Sequence, residues 1–203
     1  MKASSVACHL EEAELVDLCR QGEHSAFEKL VHRYQDRVFN TCWRICGNHS
    51  EAEDLTQEAF VKALLAIDRF DERSGFYTWI FRIATNLSIS ARRKAGRRAT
   101  YSLNRPTRGD DFEPGGSPED QLRADGPGPD ERASDSERQA AALTALASLE
   151  EEQRAIVILR DMESFGYDEI AEILEIPIGT VKSRLHRARL ALREKLAGKL
   201  GTA

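Results

Sequence analysis

Lys182, Ser183, His186 and Arg187 place two cations, a hydroxyl and an imidazole within six residues near the C-terminus. Groups of these types donate hydrogen bonds to phosphate oxygens and to base edges. Val181 and Leu185, four apart, would turn the same helix inward, which leaves the four polar side chains on its other faces. Just upstream, Gly166–Glu175 reads as a shorter helix. Ala171 is small enough to let another helix cross closely, and Pro177 stops the first helix from running on. Two helices joined by a tight turn, the second carrying the charge, form a helix-turn-helix, whose second helix enters the DNA major groove.

The charge distribution agrees with that reading. Ile176–Ala203 holds seven Lys/Arg and one acid, Glu194, whereas Gln139–Glu175 holds two Arg and nine acids. The net charge of −5 argues against a general affinity for polyanions, but the local field governs phosphate contact. The plainer alternative is a solvated basic helix face. Cys42 and Cys46, followed by His49, would share one helix face and could hold a metal or act as a redox pair. Their spacing is not that of a usual zinc knuckle, however, and Cys is often a small buried hydrophobe. Cys8 and His9 are weaker candidates still. No Gly-rich phosphate loop, metal triad or nucleophile–base pair is present. No catalytic residue, metal or cofactor is therefore expected.

The elements that must position these residues are helices. Phe27, Leu30, Val31, Tyr34, Val38, Cys42 and Ile45 recur at helical spacing, as do Leu55, Ala59, Ala63 and Ile67. A third apolar stretch, Phe76–Ile89, includes Trp79, Ile80, Ile83 and Leu87 and leads into Arg92, Arg93, Lys94, Arg97 and Arg98. Ser25-x-x-Glu28, Ser50-x-x-Glu53 and Ser148-x-x-Glu151 read as capping boxes at helix starts. Thr100–Arg138 holds five of the six prolines, five glycines, ten acids and five arginines, and little of it could fill a core. It reads as a flexible acidic linker with a typical end-to-end distance of ~35 Å. The expected fold class is all-α: two small helical domains, residues 10–99 and 139–199, joined by the linker 100–138. No stretch approaches the ~20 apolar residues of a membrane span. Met1–Leu10 lacks the apolar core of a secretory signal, so a cytoplasmic location without membrane insertion is expected.

Three blocks in this order resemble the extracytoplasmic-function (group 4) sigma factors of bacterial RNA polymerase. Phe27–Val31 through Ala52–Phe60 is similar to regions 2.1–2.2 of that family, Gly75–Asn86 to regions 2.3–2.4, and Leu149–Leu196 to region 4. The resemblance implies an alternative sigma factor that binds polymerase core and recognises the −35 and −10 promoter elements, with no chemistry of its own. Its partners would be polymerase core (the β′ clamp helices and the β flap), promoter DNA and an anti-sigma factor.

By the same resemblance, Glu53, Asp54, Gln57 and Glu58 would dock on the clamp helices. As residues alone they suit a solvated first turn equally well. Phe70–Trp79 matches the loop and helix that handle the −10 element, with Phe70, Arg73, Ser74 and Tyr77 as contacts. Asn86, Arg92 and Arg93 follow on the DNA backbone. Phe70, Phe76 and Trp79 could instead be core, and for Trp79 the core reading is preferred. Lys182, Ser183, His186 and Arg187 match the positions that read the −35 element, with Arg160, Tyr167, Thr180 and the N–H groups near Gly179 on phosphates. Arg184 and Arg189 would be peripheral contacts. Gly166 stands where the family often has Ser, His186 where it often has an apolar or aromatic residue, and the linker is long. The resemblance would thread that linker through polymerase near the nascent RNA. A stand-alone helix-turn-helix regulator is the alternative, but it has no use for the N-terminal blocks. An enzyme with an appended DNA-binding domain lacks a candidate active site.

Overall fold

Apolar residues at helical spacing and no strand-like alternation leave helices as the local solution, and the computed structural model contains only those. It describes residues 11–101 and 141–200, with no strand among them. The N-terminal stretch holds α1 (Glu12–Arg20), α2 (His24–Cys46), α3 (His49–Leu65), a 3-10 turn (Ile67–Arg69) and α4 (Phe76–Tyr101). The C-terminal stretch holds helical residues 141–147 (α5), α6 (Glu151–Val157) running on into a π turn (Ile158–Met162), α7 (Tyr167–Leu174) and α8 (Ile178–Leu200). The linker from residue 102 onward, Cys8, His9 and the side chains of Arg97 and Arg98 lie outside the described residues.

Each apolar stripe is used as its spacing predicts. Phe27, Leu30, Val38, Cys42 and Ile45 of α2 are buried, as are Leu55, Ala59 and Ala63 of α3 and Phe76, Trp79 and Ile80 of α4. Helix ends differ from expectation. Ser25 and Ser50 lie inside the first turns of α2 and α3, so neither caps its helix. The α3 cap is Asn48, whose side chain accepts from the Glu51 N–H at 2.9 Å. Ser148 turns away and donates to the Ala145 carbonyl at 2.6 Å, while Glu150 takes the cap position of α6. Gly47, at φ 81°, ends α2 in the left-handed conformation that glycine adopts without a Cβ penalty.

The two helical units pack against one another. One apolar cluster runs through both, and α4 packs against α2 and α3 on one side and against α7 and α6 on the other. Tyr77 of α4 stacks on Phe165, in the loop before α7, with centroids 4.8 Å apart and planes 15° from parallel. Phe81 meets the same ring edge-on at 5.1 Å. The cause is the exposed aromatic face that each unit would otherwise present to water, whose burial favours association.

Cys42 and Cys46 are buried within the N-terminal unit, and burial lifts both thiols, Cys46 to about 11. His49 is exposed, edge-on to Phe39 and beside Glu53 at 3.6 Å. The spacing therefore serves packing. Among the described residues no group of three His, Cys, Asp or Glu is placed to hold a metal, and no helix is long and apolar enough to cross a membrane.

Candidate nucleic-acid interface

The chain from Tyr167 to Leu200 folds as the sequence predicts, because α7 and the first turns of α8 share a small core. Ile170, Ile173, Val181, Leu185 and Ala188 are buried. Glu175, at φ 54°, makes the left-handed turn that lets α8 cross α7. Gly166 has no side-chain oxygen to offer, and its own N–H is met instead by the Glu169 carboxylate at 2.7 Å. With Val181 and Leu185 facing inward, Lys182, Ser183, His186 and Arg187 are all exposed on α8. Ser183 donates to the Thr180 carbonyl at 3.0 Å.

Tyr167 joins the two helices electrostatically. The Arg160 guanidinium lies 4.8 Å from the Tyr167 ring centroid and the Lys182 ammonium 5.7 Å from it. Arg160 also donates to the Phe165 carbonyl at 2.7 Å, which fixes its direction. Arg160, Tyr167, Thr180 and Lys182 thus gather around the N-terminus of α8, where backbone N–H groups favour an anion. Arg184 and Arg189 are paired within the chain. Arg184 pairs with Glu152, and Arg189 pairs with Asp161, its Nε 3.2 Å from Oδ2. These carboxylates on α6 and the π turn neutralise the inner part of the basic stripe.

Of the residues expected at the −10 element, Phe70, Arg73 and Ser74 border one cavity, whereas Tyr77, Asn86, Arg92 and Arg93 are spread along α4. Phe70 is buried and lies against Trp79 at 4.9 Å, both within the core. Arg73 is exposed and paired with Asp71 at 2.6 Å, which holds the Asp71 carboxyl below its usual range. Ser74 donates to Glu172 of α7 at 2.5 Å. Tyr77 is half-buried, and its hydroxyl donates to Glu163 at 3.2 Å. Burial and the adjacent Glu163 charge push the Tyr77 phenol upward. Asn86 is exposed on α4. Arg92 donates to the Cys46 carbonyl at 3.1 Å and so caps α2, while Arg93 reaches Glu152.

Between loop 70–75 and α1 lies a cavity of about 200 Å³ lined by Glu12, Val16, Phe70, Arg73, Ser74 and Phe76, among others. It is smaller than the ~300 Å³ at which sites for whole small-molecule ligands begin, and suits a single ring system. Glu12 and Val16 are absent from the sequence-level candidates, because only the fold brings α1 to this loop. Arg20 fastens the two together by donating to the Phe70 carbonyl and to Glu72. A Cβ at Gly75 would meet the Glu12 Oε1 at 3.0 Å, so the Glu12 side chain would have to give by a few tenths of an ångström.

On α3, Glu53, Asp54, Gln57 and Glu58 are all exposed, opposite buried Leu55 and Ala59. Asp54 and Glu58 continue at helical spacing into Val61 and Leu65, which are 56% and 81% exposed. Exposed leucine at that level on a helix that buries its other side marks an unpartnered surface. This apolar extension is also missing from the sequence-level candidates, which follow only the stripe Leu55, Ala59, Ala63 and Ile67 on this helix.

Two family models match the chain: "Sigma-70 region 2" over residues 30–98 and "Sigma-70, region 4" over residues 139–192. The chain is 38% identical over 177 residues to the "ECF RNA polymerase sigma factor SigW" of Bacillus subtilis (strain 168), covering 87% of this chain and 92% of the relative. It is 34% identical over 187 residues to the "ECF RNA polymerase sigma-E factor" of Escherichia coli (strain K12), covering 92% and 95%. Among solved structures it resembles the sigma factor RpoE of Bartonella quintana, determined in complex with the anti-sigma factor NepR, with a TM-score of 0.60 and 28% identity over 84% of this chain and 96% of that one. CnrH, in complex with the cytosolic domain of CnrY, shares the fold at a TM-score of 0.63 with 21% identity over 92% and 97%.

Proposed function

This chain belongs to the ECF RNA polymerase sigma factors and directs promoter-specific transcription initiation, and from that premise we propose how its surfaces divide the work. The family's members are initiation factors, so the residues act by binding and positioning. The observation that carries this reading is α8, which exposes Lys182, Ser183, His186 and Arg187 while burying Val181, Leu185 and Ala188.

In this proposal α8 reads the −35 element from the major groove. Lys182 or Arg187 donates to guanine O6 and N7, a contact worth ~1–3 kcal/mol of discrimination. Arg160, Tyr167 and Thr180 hold the flanking phosphates. At the −10 element, opening the duplex costs ~1.4 kcal/mol per step. One unstacked base captured against aromatic side chains returns ~1–3 kcal/mol. The cavity beside loop 70–75 is the receiving site, with Glu12 an acceptor for an exocyclic amine. Asn86, Arg92 and Arg93 follow on the backbone, where Arg93 would exchange its carboxylate partner for phosphate. The stripe from Glu53 through Leu65 docks on the β′ clamp helices, and the region-4 unit meets the β flap. An anti-sigma factor is the proposed regulator, supported by the similar sigma factor solved with one, and the cytoplasm is the proposed location.

Reconstitution tests this proposal. Core polymerase with this protein should produce defined transcripts that neither makes alone, and Arg187→Ala should weaken −35 recognition with core affinity unchanged. Absence of a stable complex with core polymerase would reject it.

A further inference from the structure

We propose that Glu12 of α1, aimed by Tyr34, decides which base the cavity beside loop 70–75 accepts, and that it selects cytosine or adenine, which lead with an amine, over thymine or guanine, which lead with a carbonyl. The two carboxylate oxygens have different company. Tyr34 donates its hydroxyl to Oε2. Oε1 stands over the loop, 3.0 Å from where a Cβ on Gly75 would lie, and no donor among the described residues meets it. The direction of the Tyr34 bond is fixed. Arg33 hydrogen-bonds the same phenol, and a guanidinium only donates, so the phenol's own proton is left for the carboxylate. Burial, and after it the Glu12 hydrogen bond, pushes the phenol up to about 12, so that proton stays in place at neutral pH.

The other walls do not discriminate in this way. Val16, Phe70 and Phe76 are buried core side chains. Phe70 and Phe76 stand edge to face with centroids 6.3 Å apart, and Arg20 ties the loop to α1 through the Phe70 carbonyl and Glu72. Such rings give an inserted base an apolar contact that every base accepts. Among the other polar wall residues, Glu72 is paired with Arg20, Arg73 with Asp71 and Ser74 with Glu172. Glu12 is held by one oxygen and offers the other.

A base that leaves the stack enters edge-first, with the atoms farthest from its sugar leading. On that edge cytosine carries the N4 amine and adenine the N6 amine, whereas thymine carries O4 and guanine O6. A carboxylate oxygen accepts from the amine and repels the carbonyl. A carbonyl brought against it finds no donor there and bears the cost of an unmet buried polar group. The choice is therefore amino against keto. Ring size sorts the two amino bases further, because a cavity of about 200 Å³ favours the single ring of cytosine.

This assignment rests on the functional reading above, and the experiment separates the two. The full-length chain in complex with core polymerase is titrated with labelled single strands that carry each base in turn at every −10 position, and binding is read by fluorescence anisotropy. At one position cytosine or adenine should bind at least about tenfold tighter than thymine or guanine, and either amino base supports the assignment. Replacing the preferred base by its amine-free analogue, 2-pyrimidinone or unsubstituted purine, should cost the same factor and needs no variant; an analogue that binds as well would overturn the assignment. Glu12→Gln should reverse the choice. The Tyr34 hydroxyl takes the amide oxygen, the amide NH2 is left for the base, and thymine displaces cytosine, or guanine displaces adenine. Adding Tyr34→Phe frees that amide to turn and should leave amino and keto bases equal. An amino preference retained in Glu12→Gln, or none at any position in the unaltered chain, would overturn the assignment alone. A holoenzyme that binds no such strand, whatever its bases, removes the functional reading and the assignment with it.

Discussion

Arg154 and Glu163 are the two buried charged side chains among the described residues, and they solve burial differently. Arg154 donates to the carbonyls of Leu146, Ala147, Leu149 and, across the junction, Ile45 at 2.6 Å. Burial, helped by nearby Arg92, lowers its pKa to about 10, so it remains charged at neutral pH. Glu163 is met by opposite charge, from Arg37 and Arg44. The cysteines carry a residue-scale prediction. Burial holds Cys46 near a pKa of about 11, above the ordinary thiol value. A raised folded pKa means that its contribution to stability is complete below the unfolded pKa and is lost as pH rises toward 11. Cys19, Cys42 and Cys46 should therefore resist iodoacetamide at pH 8 and react once the chain is unfolded in urea, as mass spectrometry would show. Rapid alkylation of Cys42 and Cys46 in the native protein would argue for an accessible redox pair.

At the scale of elements, α3 and α8 follow the same rule with opposite surfaces. Each buries one stripe of small and branched residues and leaves another unpartnered. The exposed stripe of α3 runs from acid to apolar, through Asp54, Glu58, Val61 and Leu65, although Lys62 pairs with Glu58 at 2.7 Å. Leu65→Glu, at an 81% exposed site, should change stability by less than ~0.5 kcal/mol. If the stripe is the polymerase-docking surface, the same change should weaken core affinity at least about tenfold, readable by fluorescence anisotropy. Unchanged affinity would confine docking to the acids. The α3 cap is separate from this function: Asn48→Ala should cost ~1 kcal/mol in urea denaturation and leave core affinity alone.

For the whole molecule, the shared core makes the two units one cooperative body. Calorimetry on the intact protein should give a single transition. Phe165 is the ring that joins the units, and Phe165→Ala should cost ~3–5 kcal/mol and split the melt into two transitions. Two transitions already present in the unaltered chain would show that the junction contributes little. A single body also sets the surroundings of the residues expected at the −10 element. Phe70 serves the core, Arg92 caps α2, and Ser74, Tyr77 and Arg93 face the other unit, while Phe70, Arg73 and Ser74 together border the cavity beside α1.

Local pattern alone determined the helices, the inward turn of Val181 and Leu185, the outward turn of Lys182, Ser183, His186 and Arg187, and the exposed acids of α3. Period and charge are properties of neighbours three and four residues apart, and a sequence carries those directly. Tertiary structure decided what depends on residues far apart in the chain. It set the wall that Glu12 and Val16 add to the cavity at Phe70, the pairing of Arg184 with Glu152, the exposure of Leu65, and the seat of Glu163 and Phe165 on Arg37 and Tyr77. Glu163 lies 126 residues from Arg37. An ion pair at that separation leaves no periodic trace, because it is created only when two finished surfaces exclude water between them.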